Sequence, residues 1–315
     1  MSATSDLHVV LGATGGTGGA VVRELAHRGL RARAVSRRGD ADVPGGVERV
    51  AADVASAEGA KAACAGAAVV YHCAQPPYTR WPQEFPPLTD AIAAGAAAAG
   101  AKLVLADNLY AYGPPDGPLT EDHPANATGR KGRVRALMAE RLLAAHRQGR
   151  LRVAIGRSAD YYGPGGLQSV TGERVFRAAL AGRTVRWLGR LDQPHTLSYL
   201  EDMATGLAVL GERDEADGQV WHLPVAEPLT GHQFLELVVA ATGGRSKIAT
   251  NSAAMTRLAG VFVPLLREVS ETLPSFQAPF VVDWSKYQQA FGPFTPTPTP
   301  EGVVRTVAWF RDRPR

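Results

Sequence analysis

Cysteine is almost absent: the 315 residues include only Cys64 and Cys73. Neither belongs to a C-x-x-C motif, and the chain has no H-E-x-x-H motif and no paired Cys/His spacing. Since structural zinc sites need four such ligands at short spacings, we expect no metal site. Both cysteines lie among alanine and valine, which favours small, buried apolar side chains.

Lysine and long apolar runs are also scarce. Only five of the 34 basic residues are lysines, and 30 acidic residues leave a net charge of +4. The basic residues alternate with acidic ones without an aromatic stripe, so we expect no nucleic-acid partner. The most apolar stretch, residues 88–106, contains Asp90 and Lys102, so we expect no membrane span. The segment before Leu7 is short and polar, which argues against a signal peptide and predicts a cytoplasmic protein.

Short β-branched runs alternate with segments rich in alanine and leucine over the first 165 residues. This alternation predicts an α/β fold with a Rossmann-type, doubly wound parallel sheet. The predicted strands cover residues 7–11, 33–36, 47–51, 69–72, 102–106 and 152–157, with one more strand at 218–223. The predicted helices cover residues 16–27, 85–99 and 133–146.

A glycine-rich turn joins the first predicted strand to the first predicted helix. Glycines allow a tight turn and a close approach of the backbone to a pyrophosphate, whose charge lies at the helix N-terminus. The strand–turn–helix context therefore predicts dinucleotide binding. The expected contacts are Gly12, Thr14, Gly15, Gly16, Thr17 and Gly18.

The end of the second strand predicts which dinucleotide binds. It reads Ser36-Arg37-Arg38, with no acidic residue before Asp40. An acid here holds the ribose hydroxyls of NAD, whereas an arginine suits the 2′-phosphate of NADP. The sequence thus favours NADP(H), the alternative being that both arginines are merely solvated. Further cofactor contacts are expected after the third and fourth strands, at Asp53, Val54, Ala74 and Gln75.

Proline and glycine become frequent after Gly163, and the segment 293–298 (P-F-T-P-T-P) excludes a helix or a central strand. We predict an NAD(P)-binding domain over residues 1–163, to which residues 195–223 return. Residues 164–194 and 224–315 are predicted to form a smaller C-terminal region that covers the substrate.

Several motifs in order give the chain a family resemblance. They are G-x-x-G-x-x-G at Gly12 to Gly18, Asp53-Val54, R-x-x-x-x-Y-G-P-G at Arg157 to Gly165, and L-S-Y-L-E-D at Leu197 to Asp202. Near the end, Asp283-Trp284-Ser285-Lys286, Phe291-Gly292 and residues 297–302 match a closing pattern. The sequence resembles the extended short-chain dehydrogenase/reductase superfamily, in its NAD(P)-dependent epimerase/dehydratase group, over nearly the whole chain.

The chain departs from this group where the group carries its catalytic residues. The resemblance implies a Ser or Thr at the end of the fifth strand, where this chain has Asn108. It also implies a Tyr-x-x-x-Lys pair, whose positions are occupied by Gly132 and Ala136. No tyrosine in this sequence has a lysine four residues later. The tyrosine acid of the group is therefore missing from its usual place.

Four residues are predicted to replace the missing pair. The loop after the fourth strand supplies Tyr78, a phenol at the carboxyl edge of the sheet, where ligands bind in this fold. A lysine and an arginine four residues apart share one helix face, and an arginine can stabilise an oxyanion. The predicted catalytic residues are Tyr78, Asn108, Lys131 and Arg135.

Other polar groups near this edge are weaker alternatives. Tyr110, Tyr112 and Tyr161 are further phenols, each more typical of packing, and Asp160 also follows a strand. His195 lies where sugar-nucleotide enzymes of the group place an arginine, which argues against a sugar-nucleotide substrate.

The leading functional hypothesis is an atypical NADPH-dependent oxidoreductase that reduces a C=O, C=N or activated C=C bond of a small molecule. An NAD(P)-dependent epimerase or dehydratase, and a non-catalytic NADP sensor, are the alternatives. The expected partner is a small-molecule substrate, and a homodimer is left open. Fold alone does not separate these hypotheses, because one fold hosts many functions.

Overall fold

The computed structural model describes residues 6–113, 117–251 and 270–313. Its strands are β1 (Leu7–Leu11), β2 (Ala32–Ser36), β3 (Glu48–Ala51), β4 (Ala67–His72), β5 (Lys102–Asn108), β6 (Arg152–Ser158), β7 (Asp160–Tyr162), β8 (Val185–Leu188), β9 (Pro194–His195), β10 (Leu197–Tyr199), β11 (Gln219–His222), β12 (Leu229–Thr230) and β13 (Ile248–Asn251). The helices are α1 (Gly16–His27), α2 (Ala57–Cys64), α3 (Trp81–Ala98), α4 (Arg130–Arg147), α5 (Glu173–Leu180), α6 (Leu200–Glu212), α7 (Gly231–Ala241), α8 (Ser285–Phe291) and α9 (Thr299–Arg311). Short 3-10 turns cover Tyr78–Arg80, Tyr110–Tyr112, Asp214–Ala216 and Ser270–Phe276.

The central sheet has seven parallel strands in the order β11-β6-β5-β4-β1-β2-β3. The order reverses between β1 and β4, which is where open α/β sheets form their ligand crevice. This confirms the predicted Rossmann-type sheet. The predicted return of residues 218–223 to the sheet is also confirmed, since β11 pairs with β6 at its edge.

Apolar clusters lie on both faces of the sheet, as the β-branched strands require. One cluster joins the sheet to α2, α3 and α4, and includes Phe85, Ile92 and Met138. The cluster on the other face joins it to α1 and α6, and includes Val21 and Leu207. The sheet is therefore doubly wound.

A third apolar cluster lies in the C-terminal part of the chain. It packs α5, α7 and α9 against β8, with Phe176, Trp187, Phe234 and Phe310 at its centre. The predicted division into two regions stays a prediction, and residues 252–269 of the second region lie outside the described ranges. Residues 292–298 form neither helix nor strand. No helix in residues 6–113, 117–251 and 270–313 is both long and apolar enough to cross a membrane.

Two helices begin earlier than the sequence predicts. α3 begins at Trp81 rather than at residue 85 and contains Pro86 and Pro87, each of which costs a helix about 3 kcal/mol. Trp81 is buried, with its ring 5.1 Å from that of Phe85 and 4.4 Å from the Arg135 guanidinium, and this packing favours the longer helix.

α4 begins at Arg130 rather than at residue 133, and its N-cap Gly129 has no side chain to cap the first turn. Glu271, 140 residues away, accepts a hydrogen bond from the Lys131 backbone N–H at 3.2 Å and supplies that cap. The earlier start places Lys131 on the helix, one turn before Arg135.

Candidate active site

The glycine turn between β1 and α1 is shaped by backbone contact. Gly12 has φ of +88°, and a Cβ at this position would lie 2.7 Å from the backbone of Ala74. A Cβ at Gly18 would overlap the carbonyl oxygen of Gly12, and one at Gly16 would lie 2.8 Å from that of Gly165. Three of the four glycines are therefore required by close packing with the ends of β1, β4 and β7.

The fourth glycine leaves the helix N-terminus open. Gly15 is the N-cap of α1, is exposed, and makes no side-chain cap. The first-turn N–H groups of α1 thus face outward with the positive end of the helix dipole, beside exposed Thr14 and half-buried Thr17. This cradle fits the pyrophosphate of a dinucleotide. Gln75 donates to Gln168 at 3.3 Å and lies beside the same crevice.

The three residues predicted to select the cofactor have different surroundings. Ser36 is buried and donates to Asp40 at 3.3 Å. Arg38 is paired with Asp40 at 2.6 Å. Arg37 is exposed and makes no ion pair or side-chain hydrogen bond within the described parts of the chain, so its charge is available to a ligand.

Asp53 closes the loop after β3. One carboxylate oxygen accepts the Ala55 N–H at 3.1 Å, and the side chain is exposed. Val54 next to it is buried. Both follow a strand neighbouring β2, where the adenine end of a dinucleotide bound at the glycine turn would lie.

Lys131 and Arg135 are almost completely buried, although they belong to a run of basic residues, and such runs are usually exposed to solvent. Their exposed fractions are 1% and 5%. The Arg135 guanidinium lies over Trp81 and Phe85, 4.4 and 4.5 Å from the ring centroids. Cation–π contacts of this kind stabilise a desolvated cation by about 2 kcal/mol.

Asp107, at the end of β5, holds two arginines. Its carboxylate lies 3.1 Å from Arg135 and 3.0 Å from Arg157, and is fully buried. The contact with Arg135 is an ion pair without an aligned hydrogen bond, and Nε and Nη1 of Arg135 have no hydrogen-bond partner among the described residues. Two cations on one carboxylate leave the cluster with a net positive charge.

The structure brings Tyr78 and Lys131 together. The Lys131 ammonium lies 4.2 Å from the centroid of the Tyr78 ring. Tyr78 comes from the loop after β4 and Lys131 from the first turn of α4, so the contact joins two elements 53 residues apart in sequence. The Tyr-x-x-x-Lys positions lack a phenol and an ammonium. Tyr78 and Lys131 bring the same two groups together from other positions in the sequence.

A second phenol adjoins the first. Tyr110, on the 3-10 turn after β5, and Tyr78 both lie against Trp81, with ring centroids 6.3 and 4.9 Å from that of Trp81. Burial raises the pKa of Tyr110 well above its usual value, and the negative charges of ionised Tyr78 and of Asp160 raise it further. Tyr110, predicted only as a packed alternative, is therefore part of the site.

Asn108, predicted as a catalytic residue, makes a local contact. Its side-chain oxygen accepts the Tyr110 N–H at 3.1 Å and so fixes the turn that carries Tyr110. The side chain is half-buried at the carboxyl end of β5.

The first position of the missing pair, Gly132, has no room for a tyrosine. Gly132 is buried in the first turn of α4. A Cβ there would overlap that of Ala127 and lie 2.5 Å from the carbonyl oxygen of Tyr110. A tyrosine at position 132 would displace Tyr110, so the two arrangements of phenols exclude each other.

Asp160 and His195 form a pair that the sequence indicated only weakly. His195 Nε2 lies 3.0 Å from a carboxylate oxygen of Asp160. The other alternative phenols are Tyr112 and Tyr161. Tyr112 is buried and hydrogen-bonded to His222 at 3.0 Å. Tyr161 is half-buried near Asp160. The signal for Asp160 was its place directly after β6.

The fold, the glycine cradle and the reversal of strand order define a dinucleotide-binding α/β enzyme class. The model of the NAD dependent epimerase/dehydratase family matches residues 8–223, and the chain belongs to this family. Its members use a nicotinamide cofactor.

Solved structures share the fold over nearly their whole length. UDP-N-acetylglucosamine 4-epimerase from Bacillus cereus superposes with a TM-score of 0.79 at 16% identity, covering 99% of this chain and 98% of the epimerase. MoeE5, in complex with UDP-glucose and NAD, superposes with a TM-score of 0.76 at 24% identity, covering 98% of this chain and 99% of MoeE5. A double mutant of the dTDP-glucose 4,6-dehydratase DesIV from Streptomyces venezuelae gives a TM-score of 0.76 at 19% identity, covering 97% of each chain. No curated protein matches the sequence.

Proposed function

We propose that this chain moves a hydride between a nicotinamide cofactor and a carbinol or carbonyl carbon of a small molecule, and returns the hydride within the same turnover. The observation that carries the proposal is the Lys131 ammonium 4.2 Å from the Tyr78 ring, at the edge of the sheet where ligands bind.

The proton chemistry falls to Tyr78. Nicotinamide, when bound, accepts or supplies the hydride. As the substrate oxygen loses its proton, the Tyr78 phenolate takes it up, and as the oxygen gains a proton, the Tyr78 hydroxyl donates it. The positive charges of Lys131 and Arg135 stabilise the phenolate. The net positive cluster around Asp107 also favours negative charge on the reacting oxygen.

Return of the hydride is supported by the family. The epimerase and the dehydratase that share the fold are named for reactions on nucleotide sugars. We therefore favour epimerisation or dehydration over the net reduction that the sequence led us to expect. Nucleotide sugars are the first substrates to test, although His195 at the arginine position of the group argues against them.

The test is whether the cofactor turns over catalytically. UDP-glucose, UDP-N-acetylglucosamine and dTDP-glucose are each incubated with the enzyme and NADP or NAD at a tenth of the substrate concentration, and products are followed by NMR. Product well beyond one equivalent of cofactor supports hydride return. Product that stops at one equivalent contradicts it.

A second candidate is net reduction by NADPH, favoured by Arg37 after β2, which is exposed and has no ion pair among the residues that the structure describes. The free guanidinium suits a 2′-phosphate, and Arg38 is already held by Asp40. We therefore propose NADP(H) as the preferred cofactor for either reaction. A panel of carbonyls, imines and enones separates the candidates, because a reductase consumes NADPH in proportion to product. Binding of NADPH without turnover of either panel would favour the sensor alternative.

A further inference from the structure

A cavity of 440 Å³, which we call the arginine cavity, opens beside α5 and the turn that joins α5 to β8. Three arginines and one glutamate line it, so the lining has an excess of two positive charges. The lining residues are Glu173, Arg174, Arg177, Ala178, Arg183 and Thr184. None of them belongs to the glycine cradle or to the predicted catalytic residues.

The periodicity of α5 places two of these arginines on one helix face. Arg174, Arg177 and Ala178 are three and four residues apart, so they are neighbours on the helix surface. The opposite face of α5 packs into the third apolar cluster through Val175, Phe176 and Ala179. Arg177 is held in place, because it pairs with Glu173 at 2.7 Å and lies over the Phe310 ring, 5.3 Å from its centroid.

The end of α5 returns a third arginine to the same face. Gly182 has φ of +64°, and its N–H donates to the Ala179 carbonyl, while the Arg183 N–H donates to the Ala178 carbonyl, both at 2.9 Å. This is a Schellman turn, in which the residue after the glycine commonly makes an apolar contact with the last helical turn. Here that residue is Arg183, so a charged side chain occupies a position where an apolar one is usual.

The positive charges of the arginine cavity are poorly compensated by the protein itself. Arg174 lies in the first turn of α5, where the helix dipole disfavours a cation. Arg177 follows it by three residues, and like charges at that spacing destabilise a helix. Arg174 and Arg183 are exposed and make no ion pair or side-chain hydrogen bond with any residue in the described ranges. A bound anion would relieve this repulsion.

The chemistry of the lining indicates which anion fits. Guanidinium groups bind phosphate oxygens through paired N–H donors, and Thr184 adds an exposed hydroxyl. Small-molecule sites have volumes of about 300–1,000 Å³, and the arginine cavity falls in this range.

We propose that the arginine cavity binds a phosphorylated small molecule outside the candidate active site. Arg174, Arg183 and Thr184 hold the phosphate oxygens, and Arg177, fixed by Glu173, adds its charge beside them. The inference does not depend on the proposed hydride transfer, since no residue of the cavity takes part in it.

The test is calorimetric titration of the whole chain with inorganic pyrophosphate as the probe. The protein is first saturated with NADPH, so that the glycine cradle is occupied. One pyrophosphate should then bind per chain. Arg174→Gln combined with Arg183→Gln should weaken this binding by about 100-fold or more, because each arginine supplies charge-assisted hydrogen bonds. Since both arginines are exposed, the double variant should keep the wild-type circular dichroism.

Arg31→Gln combined with Arg147→Gln is the matched control. Both arginines are exposed and have no ion pair in the part of the chain that the structure describes. Their loss changes the net charge as much as the loss of Arg174 and Arg183 does. The control should bind pyrophosphate with wild-type affinity.

Three outcomes overturn the inference. Absence of pyrophosphate binding up to about 10 mM would show that the cavity holds no such ligand. An equal loss of affinity in the two double variants would reduce the effect to net charge. Binding that occurs only without NADPH would place the pyrophosphate in the glycine cradle.

Discussion

Replacing Lys131 with methionine removes the positive charge beside Tyr78 and keeps most of the volume of a side chain that is 1% exposed. The ammonium lies 4.2 Å from the ring centroid. Two unit charges about 5 Å apart interact by roughly 3 kcal/mol at an effective dielectric constant near 20, which corresponds to about 2 pKa units. Because Tyr78 is only half-buried, we expect its pKa to rise by about 1–2 units in Lys131→Met.

The main effect of Lys131→Met should be on the rate of hydride transfer. Loss of a charge that stabilises the developing phenolate is expected to slow hydride transfer by about 10²–10³-fold, with little change in the dissociation constant of the cofactor. Stopped-flow absorbance of NADPH measures the first quantity, and fluorescence titration measures the second.

The matched control for this variant is Arg141→Met on the same helix. Arg141 is half exposed and pairs with Asp90 at 2.8 Å, so its loss should change neither quantity. A Lys131→Met protein with a wild-type tyrosinate titration and a wild-type hydride-transfer rate would refute the reasoning.

Three further predictions concern the cofactor, the packing of α4 and the pH dependence of stability. Arg37→Ala should weaken NADPH binding by about 1.5–3 kcal/mol and leave NADH binding unchanged, with Arg38→Ala as the comparison; equal losses for both cofactors in calorimetry would oppose the assignment. Gly132→Ala should lower the free energy of unfolding by about 1–3 kcal/mol, because its Cβ would lie 2.5 Å from the Tyr110 carbonyl oxygen; an unchanged Tm would argue against this packing. Burial lowers the pKa of His72 to about 3 and that of His222 to about 4, so both histidines stay neutral in the folded protein at pH values where the unfolded chain, with pKa 6.5, is protonated. The stability they contribute is therefore complete above about pH 6.5 and is lost as the pH falls, by roughly 1–2 kcal/mol for each histidine near pH 5. Urea unfolding at about pH 7.5 and pH 5 measures this loss, and a His222→Gln variant should show a shallower dependence.

The sheet could be predicted because its signals are local. The central strands β1, β4 and β5 each contain a short apolar run, and Gly12 to Gly18 mark the first turn by their spacing. The helix starts that were predicted wrongly depend on contacts with residues distant in sequence. The early start of α4 depends on Glu271, and the early start of α3 depends on the packing of Trp81 against Arg135.

The sequence predicted which residues form the candidate site better than it predicted how they are arranged. Tyr78, Lys131 and Arg135 follow from the loss of the Tyr-x-x-x-Lys pair and from the helix spacing of the two cations. Their burial did not follow, because it is provided by Asp107, Trp81 and Phe85, which come from other elements. Tyr110 becomes significant only in the fold, where its ring and that of Tyr78 both lie against Trp81.

The rate of hydride transfer in Tyr78→Phe tests the central claim, that Tyr78 is the proton-transfer group of the site, most directly. The variant keeps the aromatic ring over which Lys131 lies and loses only the hydroxyl. We expect a single-turnover rate about 10²–10⁴-fold below wild type, with an unchanged dissociation constant for the cofactor. Hydride transfer at the wild-type rate in Tyr78→Phe would contradict the account.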